Sequence, residues 1–165
     1  MRLLIAAIGK LKQGPERELF AHYLGRAEAA GRKLRLSPLS MIEVAESKAA
    51  TAPARNKAEG EALLAKVPAS HRLICLDRTG QSLSSEAFAG LLAKLRDGGQ
   101  EGVAFLIGGP DGLAPEVIAQ AAKTVSLGPM TLPHVLARTV LAEQIYRAAT
   151  ILAGHPYHRA RNPQG

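Results

Sequence analysis

The sequence predicts an α/β protein built on a largely parallel sheet. Apolar segments of strand length alternate with longer segments of helical periodicity along the whole chain. The apolar segment 71–77 has an uninterrupted apolar centre, which is typical of a strand covered on both faces in a parallel sheet. With 165 residues, 47% of them hydrophobic, the chain is predicted to form a single domain over 1–165 with a full core.

Five segments are predicted as strands. They are 2–9, 34–44, 71–77, 103–107 and 124–127. The first, RLLIAAIG, resembles the apolar part of a signal peptide, but the run is short and lysines follow it without a cleavage site, so a buried strand is preferred. In the second, Pro38 limits regular pairing because proline has no backbone N–H to donate.

Five segments are predicted as helices. They are 15–30, 53–66, 85–96, 115–122 and 133–153. Pro15 suits the first turn of the first helix, and Ser84 suits the N-cap of the third. Residues 45–56 are expected to form a mobile loop, and 78–84 are expected to form a turn. The last helix carries an apolar stripe wide enough to serve both the core and a partner, although one deep core contact also explains it.

Charge and cysteine content restrict the functional classes. The formal net charge is +7, and the excess is scattered, which favours a folded surface with affinity for polyanions such as RNA. Only six residues are Phe or Tyr and none is Trp, which argues against a base-stacking platform. The single cysteine, Cys75, allows no disulfide within the chain and is expected in the core. No segment has the length of a membrane span, and a cytoplasmic location follows as the default.

Three loops are predicted to meet at the carboxyl edge of the sheet. They are LDRTG after the third strand, IGGPDGL after the fourth and SLGPMTLPH after the fifth. Ligands of open α/β sheets bind at this edge, so the three loops predict one crevice. The glycines at 108 and 109 fit neither a P-loop nor a dinucleotide fingerprint, and locally a tight turn is favoured for them.

The third of these loops contains no charged residue before its histidine. Apolar side chains and backbone groups can hold a flat heterocycle, such as an adenine without attached phosphates. A proline-stiffened turn leading into the last helix explains the same residues, and local sequence leaves the two readings open.

The end of the chain, HPYHR, concentrates groups suited to proton transfer and anion binding. These are His155, Tyr157, His158 and Arg159. A polar tail without a specific role is the simpler alternative. No metal site is predicted, because the two histidines lack a cysteine or carboxylate partner nearby.

Three separated motifs in order, LIGGPDGL, SLGPMTLPHVLARTVLAEQIYRA and HPYHR, resemble the RlmH family. The resemblance extends over the whole chain and includes the LDRTGQSLSSEAFA segment. The family comprises small SPOUT-class methyltransferases that methylate N3 of a pseudouridine in 23S rRNA. It implies a SPOUT-type α/β knot, with a sheet of about five to six strands and a C-terminal trefoil knot over about 103–155. It also implies S-adenosylmethionine (SAM) as methyl donor, a homodimer and the assembled 70S ribosome as substrate.

Matched motif by motif, the resemblance implies a set of cofactor-binding residues: Leu76, Gly108, Gly109, Leu127, Gly128, Pro129, Met130, Thr131 and Leu132. This chain has Gly128 where relatives often have a side chain, so only backbone contacts are expected there. Judged by residue type, Arg159 is a candidate to stabilise an oxyanion and His158 or Tyr157 to move a proton. His155 and Arg138 are candidates to hold RNA phosphate.

Two other functions fit the same residues. One is a non-catalytic ribosome-binding module that retains the fold. The other is a knotted methyltransferase acting on a different RNA, such as tRNA.

Overall fold

A five-stranded sheet forms the centre of the computed structural model, which describes residues 1–157. The strands are β1 Arg2–Ile8, β2 Leu39–Val44, β3 His71–Ser82, β4 Gly102–Ile107 and β5 Lys123–Ser126. Their order is β2-β1-β4-β3-β5, and every neighbouring pair is parallel. The predicted α/β class with a parallel sheet is therefore confirmed, and β3 is an interior strand as its composition indicates.

Helices cover both faces of the sheet. They are α1 Pro15–Arg32, α2 Ala52–Leu64, α3 Ser85–Asp97, α4 Pro115–Gln120 and α5 His134–Leu152. The apolar residues of α1, α3 and α5 pack into one core cluster, and those of α2 and α4 pack into a second on the opposite face. All five predicted helices are present, with ends that differ by one or two residues.

Side chains of the inner strands alternate between the two clusters. In β1, residues Leu3 and Ile5 enter the cluster beneath α1, α3 and α5, whereas Leu4 and Ala6 enter the other. Successive side chains of a strand point to opposite faces of the sheet, and helices cover both faces. Both faces of an inner strand are therefore buried. This explains why β1 and β4 read as continuous apolar runs.

The predicted turn at 78–84 is wrong, because β3 continues to Ser82. Leu76 and Gln81 both pair with Val125 of the edge strand β5, so residues 77–80 arch out of the ladder and return to it. A Cβ at Gly80 would lie 2.7 Å from the backbone nitrogen of Val125, so the arch can close this tightly only with glycine. Polar composition correctly indicates that these residues leave the sheet, but it does not reveal that the strand resumes.

The second strand is shorter than predicted. Arg35 has a φ of 57°, which interrupts extended backbone, and regular pairing starts with Leu39, directly after Pro38. Leu34 and Leu36 are apolar because they pack into the core from the connection that follows α1.

Packing within the chain accounts for much of the wide apolar stripe on α5. This helix lies between α1 and α3, and Leu141, Ile145 and Tyr146 are buried there. Leu136 stays 42% exposed near the start of the helix. Within residues 1–157, no helix has both the length and the apolar character needed to cross a bilayer.

Two glycines of α1, one in open space and one against the backbone of Leu36, test how closely this helix packs. We expect Gly25→Ala to stabilise the fold by roughly 0.5–1 kcal/mol, because its Cβ would meet nothing within 4 Å and alanine favours the helix. Gly31→Ala should destabilise it by more than about 1 kcal/mol, since its Cβ would lie 2.5 Å from the carbonyl oxygen of Leu36. Urea unfolding followed by circular dichroism measures both changes, and equal effects would contradict the packing described.

Candidate functional site

A cavity of about 540 Å³ lies at the carboxyl ends of three adjacent strands, β4, β3 and β5. Its walls come from residues 76–78 within β3, from the loops that follow β4 and β5, and from the first turn of α5. The structure thus brings the three predicted loops together. A second cavity of about 350 Å³ lies between α3 and α5 and shares four lining residues with the first, namely Leu76, Ser126, Leu127 and Gly128.

Most of the expected cofactor residues line the first cavity. They are Leu76, Gly108, Gly109, Leu127, Gly128, Met130, Thr131 and Leu132. Pro129 is exposed and does not line it. Asp77, Arg78 and His134 also line the cavity; they lie in the segments LDRTG and SLGPMTLPH that the sequence places at this crevice, but they are not among the expected cofactor residues.

The loop after β4 is a compact turn that also forms a wall of the cavity. Gly109 and Gly112 form a bridge, and the Gly112 N–H donates to the Gly109 carbonyl at 3.0 Å. A Cβ at Gly108 would lie 2.4 Å from the carbonyl carbon of Gly112, so the turn excludes any side chain there. Gly108 and Gly109 therefore form a tight turn and line the cavity at the same time, so the two local interpretations are compatible.

The loop after β5 exposes backbone and apolar groups. Gly128 has a φ of 130°, a conformation that L side chains rarely adopt. The Ser126 hydroxyl donates to the Gly128 carbonyl at 2.9 Å and accepts from its N–H at 3.2 Å, which holds the turn. Met130 is 80% exposed. No side chain between 127 and 133 carries a charge.

Side chains of helix α2 hold the loop after β4 by hydrogen bonds. The Arg55 Nε donates to the Asp111 carboxylate at 2.7 Å, and this hydrogen bond lowers the pKa of Asp111. The Asn56 amide donates to the Asp111 carbonyl at 3.1 Å. The buried Glu59 carboxylate lies beside Gly109 and accepts from the Ser47 N–H at 2.8 Å. Residues of α2 are fifty or more positions from the loop they contact, so no local sequence pattern could have revealed these contacts.

Arg138 is fully buried, which contradicts its expected contact with RNA phosphate. Its guanidinium pairs with the Glu43 carboxylate at 3.0 Å and donates to the carbonyls of Ile8 and Gly9. Burial lowers the pKa of Arg138, and Glu43 opposes that shift. Arginine in an amphipathic helix reads as a surface residue, and only the fold shows that it reaches the ends of β1 and β2.

Comparison with known proteins gives a family for this architecture. A sequence profile described as "Predicted SPOUT methyltransferase" matches residues 1–158. Ribosomal RNA large subunit methyltransferase H of Xanthobacter autotrophicus is 56% identical over 160 residues, which cover 97% of this chain and 100% of that protein. The protein of the same name from Rhodopseudomonas palustris is 55% identical with the same coverage.

The chain belongs to the RlmH family of SPOUT methyltransferases. Among solved structures, a probable methyltransferase from Bordetella pertussis Tohama I is similar over 90% of this chain and 95% of its own, with 16% identity and a TM-score of 0.49. Membership confirms the resemblance drawn from the three motifs.

In the described part of the tail, Tyr157 packs against α5, and neither His155 nor Tyr157 lines the cavity of its own chain. The Tyr157 hydroxyl donates to the Glu143 carboxylate at 3.2 Å, and its ring packs on Tyr146 at 4.6 Å between centroids. Glu143 is about nine residues beyond His134, or roughly 13 Å along the helix. His155 is exposed. His158 and Arg159 lie outside the described residues.

The environment of Tyr157 keeps its phenol protonated. Burial and the neighbouring Glu143 raise the pKa of Tyr157 to about 12. At neutral pH the hydroxyl is therefore a hydrogen-bond donor, and it lacks the basicity to accept a proton.

Two further groups have environments that bear on chemistry. Burial raises the pKa of Cys75 to about 12, so its thiol stays protonated in the core and is unsuited to nucleophilic attack. In the described part of the chain, no three side chains of His, Cys, Asp or Glu are grouped to hold a metal ion.

We expect loss of the buried ion pair of Arg138 to destabilise the fold far more than loss of an exposed ion pair. Arg138→Met should lower the free energy of unfolding by about 3 kcal/mol, because it removes the partner of Glu43 and of two carbonyls. Arg32→Met breaks an ion pair with Glu28 within α1, in which the Arg32 side chain is 71% exposed. Its loss should cost less than about 1 kcal/mol. Urea unfolding of both variants measures the difference, and equal losses would refute it.

Proposed function

We propose that this chain transfers a methyl group from SAM to N3 of a pseudouridine in 23S rRNA on the assembled ribosome. The observation that carries the proposal is the cavity at the carboxyl edge, lined by the loop 127–133 without any charged side chain, in a member of the RlmH family. The formal net charge of +7 supports docking on a polyanion and predicts an affinity that falls with salt.

The residues around the cavity fit SAM better than a phosphorylated cofactor. SAM has no phosphate groups, so a loop of backbone and apolar groups can hold its adenosine portion without lysine or arginine. The side-chain-free turn at Gly108 allows backbone to approach a ligand closely. When bound, SAM supplies a methyl group already activated by its sulfonium.

The chain's own residues then have to orient the base and handle its N3 proton. Holding the acceptor nitrogen in line with the methyl group provides much of the acceleration. We propose that Arg159 stabilises negative charge developing on the base, that His158 moves the proton and that His155 contacts phosphate. Tyr157, a donor at neutral pH, is proposed to orient the base through a hydrogen bond from its hydroxyl.

We further propose that the chain forms a homodimer and that its C-terminal segment completes a trefoil knot. Large apolar side chains exposed within residues 1–157 include Leu19, Met130 and Leu136, and two of these flank the start of α5. The distance of Tyr157 from its own cavity is compatible with a tail that serves the cavity of a second subunit. Sedimentation velocity checks the dimer, and a monomer at micromolar concentration would contradict it.

Methyl transfer from labelled SAM tests the function directly. We expect labelling of ribosomes that contain the pseudouridine and none of ribosomes prepared without it, with mass spectrometry locating the methyl group on N3. Labelling of tRNA alone would identify the other RNA substrate. Ribosome binding without SAM binding in calorimetry would identify a non-catalytic module.

Replacing Gly108 tests whether the loop after β4 forms part of the SAM-binding site. Gly108→Ala should weaken SAM binding roughly tenfold or more, because the new Cβ displaces a cavity wall and small misplacements are costly. Gly90→Ala in α3 is the control, since its Cβ would meet nothing within 4 Å. Calorimetry on both folded variants provides the measurement, and unchanged affinity in Gly108→Ala would place SAM elsewhere.

Single-turnover methylation of ribosomes tests the tail. Alanine at His155, Tyr157, His158 or Arg159 should lower the rate while SAM affinity stays near that of the wild type. Tyr157→Phe keeps the ring but loses the donor, so it should lose most of the activity that Tyr157→Ala loses if the hydroxyl acts in the reaction. Wild-type rates in all four alanine variants would remove the tail from the chemistry.

A further inference from the structure

The titratable side chains of the cavity come from the arch of β3, from the loop after β4 and from the first turn of α5. Four lining residues are titratable or charged: Asp77, Arg78, Asp111 and His134. Asp111 is already paired with Arg55. Asp77 and Arg78 are therefore the two ionised groups of the wall that have no oppositely charged partner within 4.0 Å in residues 1–157.

The arch of β3 brings these two charges to the cavity. Residues 77–80 leave the ladder between Leu76 and Gln81, so Asp77 and Arg78 are free of the pairing that would send them to opposite faces. Both line the cavity although they are consecutive in the chain. Their Cα atoms are therefore separated by only about 3.8 Å.

The carboxylate of Asp77 is held in place from within the arch. Its Oδ1 accepts from the Thr79 N–H at 2.9 Å and from the Thr79 hydroxyl at 2.6 Å. The Oδ2 atom has no hydrogen-bond partner in the part of the chain that the structure describes. One oxygen thus orients the carboxylate and the other is available to a ligand.

We propose that Asp77 and Arg78 bind the amino-acid end of SAM, with Asp77 receiving the α-ammonium and Arg78 pairing with the α-carboxylate. This inference rests on the proposed function. SAM carries its ammonium and carboxylate on one carbon, and an adjacent carboxylate and guanidinium complement that arrangement. The uncharged loop 127–132 suits the adenosine end, which leaves the charged end for the charged wall.

Two related ligands separate this contact from the others. S-adenosylhomocysteine retains the amino-acid end and lacks the sulfonium charge, whereas 5′-methylthioadenosine lacks the amino-acid end altogether. Both contain adenine, ribose and a thioether. The ratio of their dissociation constants therefore reports the amino-acid end alone.

Calorimetry on Asp77→Asn and Arg78→Met provides the test. Asp77→Asn should weaken S-adenosylhomocysteine roughly tenfold, which is the loss expected for one charge-assisted hydrogen bond. Arg78→Met should weaken it roughly threefold, because an exposed cation is screened by solvent. Affinity for 5′-methylthioadenosine should stay unchanged in both variants.

Matched controls carry the same changes of charge away from the cavity. They are Arg72→Met, at the opposite end of β3, and Asp97→Asn, at the end of α3. Both should bind the two ligands like the wild type, and thermal melts confirm that all four variants are folded.

Three results would overturn the proposal. Equal weakening of both ligands by Asp77→Asn would assign this carboxylate to the ribose or to loop structure. Unchanged affinity for S-adenosylhomocysteine in both cavity variants would remove the contact, even if Arg78→Met weakened ribosome binding. Failure of the wild-type protein to bind either ligand would instead refute the SAM-binding function itself.

Discussion

The buried guanidinium of Arg138 is the contact on which the geometry of the site most depends. It joins the first turns of α5 to the carbonyls at the end of β1 and, through Glu43, to β2. The Glu43 carboxylate also accepts from the Leu11 N–H at 2.7 Å, so the connection leaving β1 is tied to the same pair. A charge buried this deeply persists only when it is paired and hydrogen-bonded, which makes the position of α5 specific.

The position of α5 sets the shape of one wall of the cavity, because the helix begins where the loop after β5 ends. His134 lines the cavity and lies close to Gly9, whose hypothetical Cβ would be 3.2 Å from the His134 Nε2 and 3.4 Å from an Arg138 nitrogen. Glycine at this position lets helix and strand approach closely. The backbone groups proposed to hold adenosine are thus joined at one end to β5 and at the other to a helix that Arg138 ties to β1 and β2.

The wall formed by the loop after β4 is held in place by contacts that do not involve Arg138. The loop after β4 excludes side chains at Gly108 and is held from below by the pair of Arg55 and Asp111. The arch of β3 provides the third wall and the side chains of Asp77 and Arg78, which have no oppositely charged partner within residues 1–157. The uncharged loop and the side chains of Asp77 and Arg78 therefore belong to different walls of the cavity.

The class of fold and the alternation of elements could be predicted from the sequence because hydrophobic periodicity is a local pattern. The meeting of three segments at one edge followed from that class, since the carboxyl ends of parallel strands lie at the same edge of a sheet. The three motifs of the sequence also determined the family. The tertiary structure decided the burial of Arg138, the arch after Leu76 and the support of Asp111 by Arg55. These depend on partners distant in the chain, and residue type alone does not distinguish a solvated charge from a paired and buried one.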